Sequence, residues 1–307
     1  MKDVRNRPSA VVSSCRVLAS CLAMILGFSS GQAAACRVDG VGRSTIFAGT
    51  VARVPSANML QLTDGTQLRL AGLVPPSAFD VGAEPGRWPA EISALDTLRE
   101  ILEGRDIEAI TPAAANVDRH GRHAAEVFLA AGDRQWVQGL VLARGMARYV
   151  TEAAHRACTE AGHEREWQAR QAGLGIWAEA AYQPLKLPVD PQHIERLIGS
   201  FQVIKGHPAG IIWRQREALV VLAGQGLART RGSSSLAILA DADILKKLGF
   251  EHGSGLNQKN RGRLLEARGW LEPNTERKRK SFSAPALMRI GAMGSLRDVS
   301  GESKDRK

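Results

Sequence analysis

The sequence predicts a mainly β fold with several helices, arranged as two consecutive groups of strands. Short runs with apolar residues at every second position are typical of strands, and they dominate both groups. Helical periodicity is confined to a few segments between or after the strands. The length of 307 residues favours two domains over a single large core.

Residues 1–35 predict a secretory signal peptide. A basic start that includes Lys2 and Arg5 precedes the apolar run VLASCLAMILGF, and the alanines at 33–35 provide small residues for cleavage. The run is shorter than the roughly 20 residues of a membrane-spanning helix, so a retained membrane anchor is the weaker alternative. The mature chain is therefore expected to begin at Cys36, without a membrane span, in the periplasm or outside the cell.

Cleavage of the signal would leave Cys36 and Cys158 as the only cysteines of an exported protein. An oxidising compartment favours a disulfide between them, and two free thiols are the alternative. The bond would close a very long loop, for which the chain-entropy model gives about 4 to 5 kcal/mol of stabilisation.

The first group of elements contains three strands, a helix, two strands and then further helices. TIFAGTVARV is the first strand, and MLQLTDGTQLRLAGL forms a hairpin with its turn at Asp64–Gly65. The helix starts at Pro89 and stops at Gly104. One face of this helix is expected to carry its apolar residues, which are Ile92, Leu95, Leu98 and Leu102.

Two more strands and two helical segments complete the first group. The strands are DIEAITP and AAEVFLA, with a turn at His120–Gly121 before the second. The helical segments are RQWVQGLVLARG and TEAAHRACTEAGHEREWQARQAGLGIW.

A second small β-barrel is predicted for residues 197–300, after a proline-containing linker at residues 181–196. Strand-like runs resume as SFQVIKGHPAGII, EALVVLAG, SLAILAD, RLLEARGWLEP and ALMRIGAMGSLRDV, with the helical DADILKKLGF before the fourth. The polar tail, residues 301–307, is expected to be disordered.

Positive charge is concentrated in the C-terminal part. Residues 36–190 carry 16 Lys and Arg against 19 Asp and Glu, whereas residues 191–307 carry 21 against 11, a net charge of +10. Four of these basic residues form the run 277–280, which is an ordinary solvated loop in the simpler interpretation. A whole domain of this charge favours nucleic acid or another polyanion as a partner.

Several motifs, in their order along the chain, resemble the staphylococcal nuclease (thermonuclease) family. They are the strand RLAGL ending at Pro75–Pro76, the turn DRHGR, a helix from Trp136 to Arg148 and the closing sequence AxxxGLGIW. The resemblance covers roughly residues 45–178, and the FQV and RGWLE segments further on are similar to those of some exported bacterial members. It implies a five-stranded oligonucleotide-binding barrel with three helices over residues 36–180. It also implies calcium-dependent hydrolysis of DNA and RNA.

The resemblance assigns two phosphate-binding arginines. Arg69 matches the first, at the end of the third strand, and Arg122 matches the second, in the turn before the fifth. Permanently charged, bidentate groups suit the gripping of a scissile phosphate. We therefore expect Arg69 and Arg122 to share an anion site, with surface arginines of no special role as the alternative.

The carboxylates of the family's site are missing. Asn58 and Val74 occupy positions where the family has calcium ligands, and Ser77 occupies the position of its general base. Valine cannot coordinate calcium, and serine is far too weak a base at neutral pH. The chain is therefore expected to hold no metal, to need no cofactor and to have weak or no nuclease activity.

Three other acids could replace the missing ones and hold calcium, which would leave the chain an active nuclease. They are Asp80 and Glu84, on the loop FDVGAEPGRW, and Asp118, close to Arg122. His120 and His123 could instead support metal-independent hydrolysis, although histidines on a turn are usually surface residues. A non-catalytic module that binds nucleic acid or protein is the other hypothesis.

Aromatic residues of the second group could stack on nucleic-acid bases. The candidates are Phe201, Trp213 and Trp270, although a barrel tryptophan more often lies in the core. The sequence leaves the oligomeric state and any protein partner open.

Overall fold

The computed structural model describes residues 36, 38, 44–80, 88–113, 117–225, 235–275 and 284–301. The predicted signal, Glu84, the basic run 277–280 and nearly all of the tail lie outside these residues. The described part of the chain contains no helix with the length and apolar character needed to cross a membrane.

The fold is mainly β with some helices. The strands are β1 (Ser44–Ser56), β2 (Met59–Leu62), β3 (Gln67–Leu70), β4 (Leu73–Val74), β5 (Asp106–Pro112), β6 (His123–Leu129), β7 (Arg148–Tyr149), β8 (Leu185–Lys186), β9 (Phe201–Trp213), β10 (Glu217–Ala223), β11 (Leu236–Asp241), β12 (Leu265–Pro273), β13 (Ala286–Ile290) and β14 (Leu296–Asp298). The α-helices are α1 (Pro89–Leu102), α2 (Val137–Ala143), α3 (Thr159–Gln171), α4 (Pro191–Arg196), α5 (Ala242–Lys247) and α6 (Gln258–Arg261).

Five strands close the first barrel, in the order β1-β2-β3-β6-β5. β3 and β6 run parallel, and the other neighbours in the barrel are antiparallel. The predicted hairpin joins β2 to β3, and Gly65 in its turn has a φ of 90°, which a residue with a Cβ adopts only with strain. The alternation predicted from the sequence places leucines of both strands in the core, namely Leu60, Leu62, Leu68 and Leu70.

Helix α1 follows the predicted limits and buries most of the predicted face, since Leu98 and Leu102 are buried and Leu95 packs against the core. Ile92 is 50 % exposed, so its assignment to the core-facing side was wrong. The buried side chains recur at intervals of three and four residues and form a narrower stripe, and Ile92 lies at its edge. These side chains are Ala94, Leu98, Ile101 and Leu102.

The turn after α2 and the turn after α3 approach each other closely at two glycines, Gly145 and Gly175. A Cβ on Gly145 would lie 2.1 Å from the carbonyl oxygen of Leu174, and one on Gly175 would lie 2.3 Å from that of Gly145. Both glycines also have positive φ, 68° and 52°. This close approach is the physical reason for glycine in the LARG and GLGIW motifs.

Seven strands form a second sheet, in the order β14-β12-β13-β11-β10-β9-β8, and β12 also pairs with β9. Strands β9, β10, β11, β13 and β12 therefore make a barrel-like ring, called the second ring below. β11 and β13 are parallel, as β3 and β6 are in the first barrel, so both rings share one strand order. Residues 181–196, predicted as a linker, contain β8 and α4, and β8 extends this sheet beside β9.

Cys36 and Cys158 form a disulfide, with their Cα atoms 4.5 Å apart and a separation of 122 positions in sequence. Cys158 is buried beside Val38, Ile110 and Phe128. The predicted pairing therefore agrees with the structure, and it holds the residue at position 36 against the first barrel.

Candidate phosphate site

Arg69 lies on the outer face of β3. Its neighbours Leu68 and Leu70 point into the barrel core, so the alternation of the strand directs the arginine outward. In the register of the hairpin, Arg69 lies opposite Met59, and on the other side of β3 it lies opposite Ala124 of β6.

Arg122 is held in the turn that leads into β6. The carboxylate of Asp118 accepts hydrogen bonds from the backbone N–H of His120 and from both the backbone N–H and the Nε of Arg122, the last at 2.7 Å. These bonds lower the pKa of Asp118 to about 2, against the effect of desolvation. Nη1 of Arg122 lies 2.9 Å from the sulfur of Met59. The two arginines thus flank Met59 on one face of the barrel, and their sharing of a phosphate stays a prediction.

The carboxylate of Glu152 binds the guanidinium group of Arg69. Nη1 and Nη2 of Arg69 donate to the two carboxylate oxygens at 2.7 and 2.8 Å, and the backbone N–H of Gly72 donates to the same carboxylate at 2.8 Å. A phosphate would accept hydrogen bonds from the same two guanidinium nitrogens and the same backbone N–H. Glu152 therefore fills the place that an anionic ligand of Arg69 would take.

The pair is electrostatically stable at neutral pH. The hydrogen bond that Arg69 donates to Glu152 raises the pKa of Arg69 above its usual value. Burial acts to raise the pKa of Glu152, but the bond and charge of Arg69 outweigh burial and lower it. Sequence analysis missed Glu152 because 83 residues separate it from Arg69 and no local motif marks it.

The three positions at which the resemblance implies carboxylates have structural roles. Asn58 accepts a hydrogen bond from Ser56 through its side chain and from the N–H of Leu70 through its carbonyl. Val74 pairs with Arg148 in the two-stranded sheet of β4 and β7. The hydroxyl of Ser77 accepts a hydrogen bond from the following turn. None of the three supplies a carboxylate.

Asp80 is engaged away from Arg69. Its carboxylate accepts hydrogen bonds from the N–H of Ser77 and the hydroxyl of Tyr182, both at 2.9 Å, and it pairs with Arg148 at 3.2 Å. Arg148 in turn donates to the carbonyl of Phe201 on β9. Asp80 thus fastens the loop after β4 to the second sheet, and Asp118 is engaged by its own turn.

Acidic, histidine and cysteine side chains come together at one place in the described part of the chain. Among these residue types, only one group of three brings its ligand atoms within 4.8 Å of one another, and it consists of Cys36, Glu126 and Cys158. The two sulfurs of this group form the disulfide, so the group offers calcium a single carboxylate.

The two histidines beside Arg122 do not form a paired acid and base. His120 is exposed and accepts a hydrogen bond from Arg119, whereas the ring of His123 packs against Phe47 at 5.0 Å. A buried pair that the sequence did not indicate lies nearby: His155 and Glu126, 3.2 Å apart and both about 2 % exposed.

The three aromatic candidates of the second ring lie in different environments. Phe201 is fully buried, and Trp213 packs on the core and donates its Nε1–H to the carbonyl of Ser254. Trp270 is 54 % exposed, so the expectation of a core tryptophan was wrong at this position.

In comparisons with known proteins, no family model and no curated protein matches the sequence.

Proposed function

We propose that this chain is an exported, thermonuclease-like protein that binds single-stranded nucleic acid and does not hydrolyse it with calcium. The observation that carries the proposal is the bidentate pairing of Arg69 with Glu152. It supports a site that retains the arginine geometry for an oxyanion while its own carboxylate neutralises the charge on which transition-state stabilisation depends.

The surrounding residues support binding without turnover. The positions of Asn58, Val74 and Ser77 carry no carboxylate, and the nearby acids Asp80 and Asp118 already hold arginines. A positioned general base alone contributes about a hundredfold to ten thousandfold. We therefore do not favour hydrolysis by displaced acids.

The second ring supports the choice of nucleic acid. Its strand order repeats that of the first barrel, which is consistent with two oligonucleotide-binding-type barrels in one chain. Residues 191–307 carry 21 basic against 11 acidic residues. Most of the attraction for a polyanion would therefore come from this part of the chain, by release of counterions.

Anisotropy of labelled single-stranded DNA and RNA in a chelator tests the proposal, with gel assays of the same strands in calcium. We expect salt-dependent binding and intact strands. Glu152→Gln should bind more tightly, because it removes the negative charge that competes with phosphate for Arg69, and Arg69→Gln is the matched loss of the cation. Absence of binding at low salt, or rapid cleavage in calcium, contradicts the proposal.

A further inference from the structure

An open groove of about 330 Å³ lies where the segment after β7 meets strands β12 and β13. Ligand sites of small molecules span about 300 to 1,000 Å³, so the groove has room for one small planar group. The lining residues that matter to its chemistry are Thr151, Ala153, Trp270, Glu272, Arg289 and Gly291.

Trp270 presents a fixed aromatic face to this groove. It pairs across strands with Phe201, and the two rings meet edge to face at 5.9 Å with 78° between their planes. Phe201 is buried, so the tryptophan ring is supported on one side while more than half of its surface is open to solvent. A ring held in this way loses little conformational freedom when another ring stacks on it.

Arg289 and Glu272 place a donor and an acceptor beside the ring. Nε of Arg289 lies 2.9 Å from Glu272, and the two side chains are 51 % and 45 % exposed. Their charges cancel, so this wall suits a neutral polar edge better than a phosphate. A Cβ added to Gly291 would meet no atom within 4 Å, which indicates free space at that end of the groove.

The groove and the phosphate site share one short segment. Thr151 and Ala153 line the groove, and Glu152 between them binds Arg69. A ligand in the groove therefore lies one residue along the backbone from the carboxylate that occupies Arg69.

We propose that the groove holds an unpaired base of single-stranded nucleic acid, stacked on Trp270, with its edge hydrogen-bonded by Arg289 and Glu272. This rests on the proposed function and adds the base subsite to it. A base fits each feature: its planar face matches the indole, its edge carries both donors and acceptors, and it bears no charge. The phosphates of the same strand are attracted by the basic residues elsewhere in the second part of the chain.

The test compares Trp270→Ala with Trp270→Phe in the full-length mature protein, using anisotropy of a labelled oligothymidine and of inorganic polyphosphate, which has no bases. Near-ultraviolet circular dichroism confirms that both variants are folded. We expect Trp270→Ala to weaken oligothymidine binding by at least about fivefold, the lower end of what one stacked base contributes. Trp270→Phe should retain most of the affinity, and polyphosphate binding should not change.

The salt dependence separates stacking from charge. Stacking releases no counterions, so the slope of log K against log salt should be the same for wild type and Trp270→Ala. If wild type and Trp270→Ala bind oligothymidine with equal affinity, the base subsite is overturned. The proposed function is not contradicted by that result. An equal loss for polyphosphate also overturns it. Failure of the wild type to bind oligothymidine overturns the proposed function itself.

Discussion

Arg268 on β12 and Glu166 on α3 form an ion pair with 2.8 Å between Nη1 and Oε2, and both side chains are 1 % exposed. The same guanidinium also donates to the carboxylate of Glu266 and to the carbonyl of Tyr149. Because α3 follows the first barrel and β12 belongs to the second ring, these buried charges join the two parts of the chain.

Arg268→Met should destabilise the protein by about 3 kcal/mol, the lower end of the cost of breaking a buried ion pair. It removes the buried cation between Glu166 and Glu266, and the remaining cation near both carboxylates is Arg170. The matched control is Arg289→Met on the neighbouring strand, whose partner Glu272 is exposed. An exposed pair contributes about 0 to 1 kcal/mol, so this control should have a small effect. Urea unfolding measures both. If the two variants lose similar amounts of unfolding free energy, the buried pair does not have the central role in stability.

The acid sensitivity of the fold should depend on Glu266. Burial acts to raise its pKa, but Arg268 and Arg170 outweigh burial and hold the pKa well below the usual value of 4.5. Between the two pKa values the folded state binds fewer protons than the unfolded state. The stabilisation is therefore complete above a pH of 4.5 and is lost as the pH falls from there through the lower pKa of the folded state.

Glu266→Gln should consequently flatten the fall in unfolding free energy between neutral pH and pH values below 4.5. The quantity to compare is the slope, because the substitution also lowers the overall stability. Glu272→Gln serves as the control for loss of one carboxylate from an exposed pair. An unchanged acid slope in Glu266→Gln would show that other carboxylates set the acid limit.

The sequence predicted the strands well because their cause is local. Alternation in MLQL and QLRL, with Asp64–Gly65 between them, specifies the hairpin and its buried leucines. The exposed Ile92 shows the limit of such patterns, since the face that a helix buries depends on what packs against it. The exposed Trp270 shows the same limit for a strand, because the side that a strand residue buries also depends on what packs against it.

The sequence predicted only some of the residues of the candidate site. Arg69 and Arg122 follow from motifs, whereas Glu152 comes from a segment brought to β3 by the pairing of β4 with β7. The buried charges of Glu166 and Arg268 likewise depend on contacts between distant parts of the chain. A single sequence carries no local signal for contacts of this kind.

The disulfide should make a large contribution to stability. The double variant Cys36→Ser, Cys158→Ser should unfold about 4 to 5 kcal/mol more easily, since the bond closes a loop spanning 122 residues. Denaturant titration of both proteins measures the difference. Mass spectrometry after alkylation without reduction should find no labelled cysteine in the mature protein, and labelling of both Cys36 and Cys158 would contradict the pairing.

Cleavage of nucleic acid should rise when positions 58, 74 and 77 receive carboxylates, and should rise further when Arg69 is also released from Glu152. The wild type should show little or no calcium-stimulated cleavage of DNA or RNA. Asn58→Asp, Val74→Asp and Ser77→Glu together provide the acids, but Glu152 still binds the guanidinium that must stabilise the reacting phosphate. Addition of Glu152→Gln to this triple variant should therefore raise the cleavage rate further.

The gel assay, in calcium and in chelator, compares the triple variant with the quadruple variant that also carries Glu152→Gln. Arg69→Ala added to the quadruple variant is the control, and it should abolish the gain in cleavage rate. Equal rates with and without Glu152→Gln would show that Glu152 does not block the site. Robust calcium-dependent cleavage by the wild type, abolished by Arg69→Ala, would instead identify Asp80, Glu84 or Asp118 as recruited ligands. A role for Asp80 would require it to leave Arg148, and Asp80→Asn would then remove the activity.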